Sequence, residues 1–149
     1  MCKPLGCPRK LEQCYTISPY IAEFWNTISN IPFILIALAR LYEGTYLVNL
    51  YILMAVAGAA RGIHHAAAPM YKKYTIILDW IPIAISIVVF LTNHCLCEVS
   101  LTALLELALA LVVLVVDHVC TIMPVPWGHV MWHLLAAFSI DAIYQSINS

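Results

Sequence analysis

Five long apolar stretches separated by short polar connections constrain the fold of this chain more than any other feature. Apolar residues make up 63% of the sequence and charged residues only 10%, which is too little polar surface to cover a soluble domain of this size. Because lipid satisfies no backbone polar group, long apolar segments cross a bilayer as helices. The pattern predicts an all-α protein, a polytopic transmembrane helix bundle with about five spans.

The predicted organisation is a polar N-terminal segment, residues 1–18, followed by one transmembrane domain, residues 19–149. The spans are predicted at residues 19–41, 46–67, 75–92, 101–121 and 127–146. The N-terminal segment has no apolar core of the kind that signal peptides carry, so we expect no cleaved leader. A formal net charge of -1 without a basic stripe excludes nucleic acid as an expected partner. The expected location is therefore an integral, multi-pass position in a membrane.

Successive spans joined by short loops cross the membrane in alternate directions. This alternation places most ionisable residues of the spans on the side of the membrane that holds the N-terminus. These residues, with their polar neighbours, are Glu23, Asn26, Arg61, His64, His65, Asp79, Asp117, His118, His129 and His133. A charged side chain at mid-span costs roughly 2.5 to 3.5 kcal/mol on insertion scales, and such residues usually mark a functional pocket. We therefore expect one polar site within this leaflet.

His129 and His133 stand four residues apart at the start of the last span, so a helix brings both rings to one face. Together with a third imidazole they could hold zinc with one open position, which is the arrangement of hydrolytic zinc sites. A carboxylate such as Asp79 could accept a proton from water or orient a ligand ring. Spacing alone also suits packed histidines or haem b, so these alternatives stay open.

Three motifs occur in order along the chain. The first is YIAEFWNTISN at residues 20–30, and the second, after a histidine that ends the second span, is LDWIP at residues 78–82. The third is the pair His129 and His133. Together these motifs resemble the alkaline ceramidase family over residues 12–135. That family belongs to a wider superfamily of seven-helix membrane hydrolases that includes the adiponectin receptors.

The resemblance implies a zinc site formed by His65, His129 and His133. It also implies that Asp79 helps water attack an amide carbonyl, so that ceramide is cleaved to a fatty acid and a sphingoid base. His64 is the alternative ligand or a supporting residue, because it lies about 100° from His65 around the helix. The family further implies a pocket open to membrane lipid and, in a eukaryotic cell, residence in the endoplasmic reticulum or Golgi.

Arg61 departs from the family pattern, which has a serine four residues before the ligand histidine. An arginine there could stabilise an oxyanion as a fixed cation in the catalytic site, or it could repel zinc. We expect an altered function at this position. Asn26, within the first motif, is expected to cap or bridge helices or to support the metal site.

The family also binds calcium, and the matching carboxylates here are Glu12 and Glu23. Arg9, Lys10 and Cys14 stand where the family carries acidic, aromatic or amide groups. Calcium prefers several oxygen ligands, so two carboxylates beside two cations make a poor calcium site.

The chain has two helices fewer than the seven of the family, and both are missing between Asp79 and His129. Losing two helices leaves the direction of the last span unchanged, so the histidines of that span still enter the membrane from the same side. The expected alternatives are a minimal enzyme, a homodimer that completes the pocket in trans, and a non-catalytic lipid-binding or interaction module. The excess of Lys and Arg in the loops on the N-terminal side predicts that this side is cytoplasmic.

Overall fold

The fold was analysed in a computed structural model, which describes residues 17–18, 20–67, 69–119 and 127–148. Within these residues the regular secondary structure is helical, which confirms the all-α prediction. The helices are α1 (Phe24–Ile28), α2 (Ile31–Tyr42), α3 (Val48–Ala66), α4 (Lys72–Asn93), α5 (Leu101–Val119) and α6 (Trp127–Asn148), and short 3₁₀ turns occupy Pro69–Tyr71 and Leu96–Glu98. Among the described residues, Phe24–Tyr42 and Lys73–Asn93 are long and apolar enough to cross a membrane.

The predicted first span is interrupted near its start, where α1 ends and α2 begins. Pro32 occupies the first turn of α2 and has no N–H to bond the carbonyl one turn earlier. Ser29 and Asn30 lie at the interruption, keep right-handed helical backbone angles, and are both buried. The interruption therefore places two polar side chains inside the bundle without a change of chain direction.

A tight turn after α2 reverses the chain into α3. Gly44 has a φ of 82°, a left-handed conformation that glycine adopts without steric penalty. The Gly44 amide donates to the Leu41 carbonyl, and the Thr45 amide donates to the Arg40 carbonyl. These are the two hydrogen bonds of a Schellman motif, which ends a helix at a glycine.

The apolar core lies where α2, α3 and α6 meet. It consists of Phe33, Ala37, Leu47, Leu50, Tyr51, Met54, Ala136, Ala137 and Tyr144. Helix α4 packs mainly along α3, and α5 packs mainly along α6, while α1 and α2 contact both α3 and α6. Helices α4 and α5 thus form the flanks of the bundle, and many of their apolar side chains are exposed.

Gly58 sets the close approach of α2 and α3. A Cβ atom at this position would lie 2.6 Å from the Phe33 Cβ and 3.2 Å from the Asn30 carbonyl oxygen. Such a contact is too short for carbon atoms at van der Waals separation. The glycine therefore allows α2 to bring Asn30 and its neighbour Ser29 against the half of the bundle that carries His65.

An ion pair ties α2 to α6 at the other end of the bundle. Arg40 donates from Nε and Nη2 to the two Asp141 oxygens at 3.0 and 2.8 Å, and the Tyr51 hydroxyl donates to Asp141 at 2.8 Å. This two-pronged geometry is the strongest form of a salt bridge. Asp141 therefore holds α2 and α6 together, away from the histidines.

Candidate metal centre

Three histidines from two helices meet at one end of the bundle. His65 comes from the last turn of α3, and His129 and His133 come from the first two turns of α6. The ring centroids are separated by 5.1 Å for His65 and His129, 5.1 Å for His65 and His133, and 4.5 Å for His129 and His133. One nitrogen from each ring lies within 4.8 Å of the other two. The three imidazoles can therefore share one metal ion.

Glu23 orients the ring of His65. Its Oε2 atom lies 2.6 Å from His65 Nδ1, and both side chains are almost fully buried. A carboxylate accepts, so His65 Nδ1 carries the proton and Nε2 keeps its lone pair. The Glu23 and Ala22 amides also donate to the carbonyls of His65 and Ala66, which fixes this segment against the end of α3.

Ser29 orients the ring of His133 through a second hydrogen-bonded chain. Ser29 Oγ donates to the Asn26 carbonyl at 3.0 Å and lies 2.7 Å from His133 Nδ1. Because the hydroxyl proton is already used, we assign Ser29 Oγ as the acceptor of a proton on Nδ1. Asn30 Nδ2 donates to the same Asn26 carbonyl at 2.7 Å and lies 3.2 Å from His133 Nδ1.

The third histidine, His129, lies against a carboxylate from α5. Its Nδ1 atom is 3.5 Å from Asp117 Oδ2. Asp117 occupies the space that a side chain at position 128 would need, and Gly128 leaves that space open. All three rings therefore have an oxygen-bearing side chain beside Nδ1.

The donor set fits a small divalent ion. His133 is fully buried, and its Nε2 atom has no hydrogen-bond partner within the described part of the chain. A buried nitrogen without a partner costs about 1–3 kcal/mol, and a metal ion at Nε2 would remove that cost. Zinc binds imidazole nitrogen at about 2.0–2.1 Å, and its imidazole ligands are typically held by hydrogen bonds from the second nitrogen to carboxylates or other oxygens. His65 and His133 have this arrangement.

Arg61 and Asp79 form an ion pair beside the histidines. Arg61 Nε donates to Asp79 Oδ1 at 2.9 Å, and the side chains are 15% and 10% exposed. Arg61 precedes His65 by four residues and so shares its face of α3. The two predicted catalytic residues are therefore brought together, with Asp79 held by the arginine.

The remaining predicted site residues lie around this centre. Asn26 is fully buried and its Nδ2 atom donates to Glu23 at 3.2 Å. His64 is half-buried and its Nδ1 atom lies 2.9 Å from Thr75 Oγ1, so it links α3 to α4 while His65 joins the cluster. Glu12 lies outside the described residues, so the predicted pairing of Glu12 with Glu23 stays a prediction.

A shallow groove of about 350 Å³ lies on the outer face of α4. It is lined by Ile76, Ile77, Trp80, Ile81 and Ala84. Trp80 is 61% exposed, whereas Asp79, about 100° away around the helix, is buried. The groove therefore faces away from the histidines and contributes nothing to the metal centre.

Ser29 and Asp117 are the residues that sequence reasoning did not assign. Ser29 lies within the motif at residues 20–30, and Asp117 ends the fourth predicted span on the same side as the histidines. The sequence shows the motif that contains Ser29 and the predicted side on which Asp117 lies. Which histidine ring each of them contacts depends on how α1 and α5 pack against α6.

Comparison of the chain with protein-family models, with curated proteins and with solved structures finds no match.

Proposed function

We propose that this chain is a metal-dependent hydrolase of amide-linked membrane lipids, with zinc held by His65, His129 and His133. The observation that carries the proposal is the hydrogen bonding of the histidines. Nδ1 of His65 is bonded to Glu23 and Nδ1 of His133 to Ser29, so the other nitrogen of each ring is left for an ion. A packed histidine would pair both ring nitrogens, whereas Nε2 of His133 has no hydrogen-bond partner in the described part of the chain.

A membrane location is part of the proposal. Two segments of the described chain are long and apolar enough to cross a bilayer, and α5 is almost entirely apolar between its ends. We propose that all five predicted spans cross the membrane and that the metal centre lies in the cytoplasmic leaflet. In a eukaryotic cell the membrane would be that of the endoplasmic reticulum or Golgi.

The substrate we propose is ceramide, in keeping with the alkaline ceramidase motifs of the sequence. In its hydrolysis, the oxygen of water bonds to the acyl carbon while the C–N bond breaks. The nitrogen leaves as an amine after gaining a proton, so the products are a fatty acid and a sphingoid base. A bound zinc ion supplies Lewis acidity and makes water nucleophilic near neutral pH.

The chain's own residues have distinct tasks in this mechanism. Glu23 and Ser29 fix the ring orientations, so that the ligand nitrogens need little rearrangement. Asp79 is the candidate acid/base that moves a proton from water towards the leaving nitrogen. Arg61 holds the Asp79 carboxylate by its Nε atom.

The proposal places the entry of lipid along the flanks of the bundle. Helices α4 and α5 have many exposed apolar side chains, which is the surface expected where acyl chains enter. A homodimer that closes this side is the alternative arrangement. The particle mass in detergent, measured by light scattering, separates the two.

A non-catalytic lipid-binding module is the second candidate function. It is favoured by the ion pair itself, because a salt bridge holds Asp79 by its Oδ1 atom at 2.9 Å and could keep it from exchanging protons. A haem protein is less well supported. Three rings with centroids 4.5–5.1 Å apart leave no room between them for the flat macrocycle that two axial histidines would sandwich.

The test is metal content and ceramide hydrolysis measured on one purified sample. We expect about one zinc per chain by mass spectrometry and release of fatty acid from ceramide, both lost in His129→Ala. The control is His64→Ala, which removes a neighbouring imidazole outside the cluster and should keep the metal. Absence of zinc in the wild-type protein would overturn the proposal. Zinc without hydrolysis of any amide lipid would establish the non-catalytic alternative, and a Soret band would establish haem.

A further inference from the structure

Arg61 has hydrogen-bond donors that no described residue uses. A guanidinium carries five N–H groups, and Arg61 contributes only its Nε to Asp79. The Nη1 and Nη2 groups make no hydrogen bond to the described part of the chain, and the side chain is only 15% exposed. Four donors of a largely buried charged group therefore have no hydrogen-bond acceptor in the described part of the chain.

These donors lie next to the histidine cluster. Arg61 is four residues before His65 on one face of α3, so the two side chains are about one helical turn apart. Asp79 holds the guanidinium through Nε, which restricts its plane and leaves the edge formed by Nη1 and Nη2. That edge has the spacing to donate two parallel hydrogen bonds to a carboxylate or phosphate.

We propose that Arg61 forms a headgroup subsite that selects amide lipids with an anionic group a few bonds from the amide nitrogen. The proposal rests on the proposed function and names the substrate class of the same site. An anion supplies two charged acceptors to the Nη1 and Nη2 groups that Asp79 leaves unbonded, whereas the hydroxyls of ceramide supply only neutral oxygen. The anion is either the carboxylate of an N-acyl amino acid or the phosphate of a phosphorylated ceramide.

The electrostatic setting supports an anionic ligand over a neutral one. Charge-assisted hydrogen bonds are roughly twice as strong as neutral ones, and their advantage grows where water is scarce. Asp79 offsets the arginine charge through a single contact, which lowers the cost of keeping the cation in the apolar bundle. The contact with Asp79 leaves the Nη groups of Arg61 available. The Arg40 guanidinium differs, because it uses all three of its nitrogens on carboxylates.

The test compares two pairs of lipids in which one member carries an anionic group and the other carries a hydroxyl in its place. The full chain is purified in a non-ionic detergent and split into zinc-loaded and chelator-treated samples. Equilibrium binding is measured for N-palmitoylglycine against N-palmitoylethanolamine, and for ceramide phosphate against ceramide. We expect the wild type to bind at least one anionic lipid about tenfold more tightly than its neutral partner, from charge-assisted bonding. The pair that shows the preference identifies carboxylate or phosphate.

Variants assign the preference to Arg61. We expect Arg61→Ser to abolish it and Arg61→Lys, which keeps a charge but loses the fork, to reduce it. Lys73→Ser removes an exposed positive charge from α4 and should leave the preference unchanged. Equal binding of both members of each pair by the wild type would overturn the proposal without any variant, and so would a preference that survives in Arg61→Ser.

Hydrolysis of the same four lipids separates this proposal from the proposed function. Preferential binding of an anionic lipid with no turnover of any lipid would support the subsite and reject the hydrolase. Hydrolysis of ceramide and its phosphate at equal rates, together with equal binding, would support the hydrolase and reject the subsite.

Discussion

The replacement Ser29→Ala tests whether the bundle holds its histidines for a metal ion. Ser29 Oγ lies 2.7 Å from Nδ1 of the fully buried His133, and the replacement leaves that N–H without its acceptor. Leaving a buried donor unpaired costs about 1–3 kcal/mol, a cost that the metal-free protein also carries and that therefore lowers the stability of the fold. Losing an outer hydrogen bond of a ligand histidine weakens metal binding about 10- to 100-fold, so we expect a loss of tens of fold in zinc affinity.

The assay is competition for zinc between the purified protein and a chromophoric chelator, with the visible spectrum of the cobalt-substituted protein as a second readout. The matched control is Ser139→Ala. Ser139 is also buried, but its Oγ donates within α6 to the Leu135 carbonyl at 2.7 Å. Ser139→Ala should retain the affinity. If Ser29→Ala bound zinc within twofold of the wild type, the hydrogen bond from His133 to Ser29 would not be supporting a metal ligand.

Three further predictions use the same protein. Glu23→Gln should weaken zinc binding about tenfold in the chelator assay, because a neutral amide replaces the carboxylate at His65; unchanged affinity would contradict the role assigned to Glu23. Gly58→Ala should lower the thermal midpoint of unfolding, with an overpacking cost of about 1–3 kcal/mol. Gly62→Ala is the control and should not lower it, because an added Cβ atom would lie 3.8 Å from its nearest neighbour. Equal midpoints for the two variants would refute the close approach of α2 and α3. Asp141→Asn should destabilise the bundle more than Glu43→Gln in thermal unfolding followed by circular dichroism, because the Asp141 side chain is 14% exposed and that of Glu43 is 58% exposed. Equal losses would show that the ion pair of Asp141 contributes no more than a surface pair.

The helical class could be predicted from sequence because composition and the length of the apolar stretches decide it. The interruption between α1 and α2 could have been anticipated at Pro32, which removes one backbone donor. Its consequence could not, because only the packing of α1 against α6 shows that Ser29 and Asn30 at the interruption lie beside His133.

The sequence alone determined which side chains could serve as ligands. The spacing of His129 and His133 places both on one face of a helix, and the two predicted spans between His65 and His129 predict that all three histidines lie on one side. These predictions follow from helical periodicity and from the expected alternation of spans.

The tertiary structure decided what each histidine is bonded to and how Arg61 and Asp79 are used. Glu23 and Ser29 flank the two ends of α1, and Asp117 lies in α5. Their distances to the rings depend on the close approach at Gly58 and on the packing of α5 along α6. The pairing of Arg61 Nε with Asp79 at 2.9 Å depends in the same way on the register of α3 against α4. Sequence spacing fixes neighbours within one helix, whereas contacts between helices follow from side-chain packing across the whole bundle.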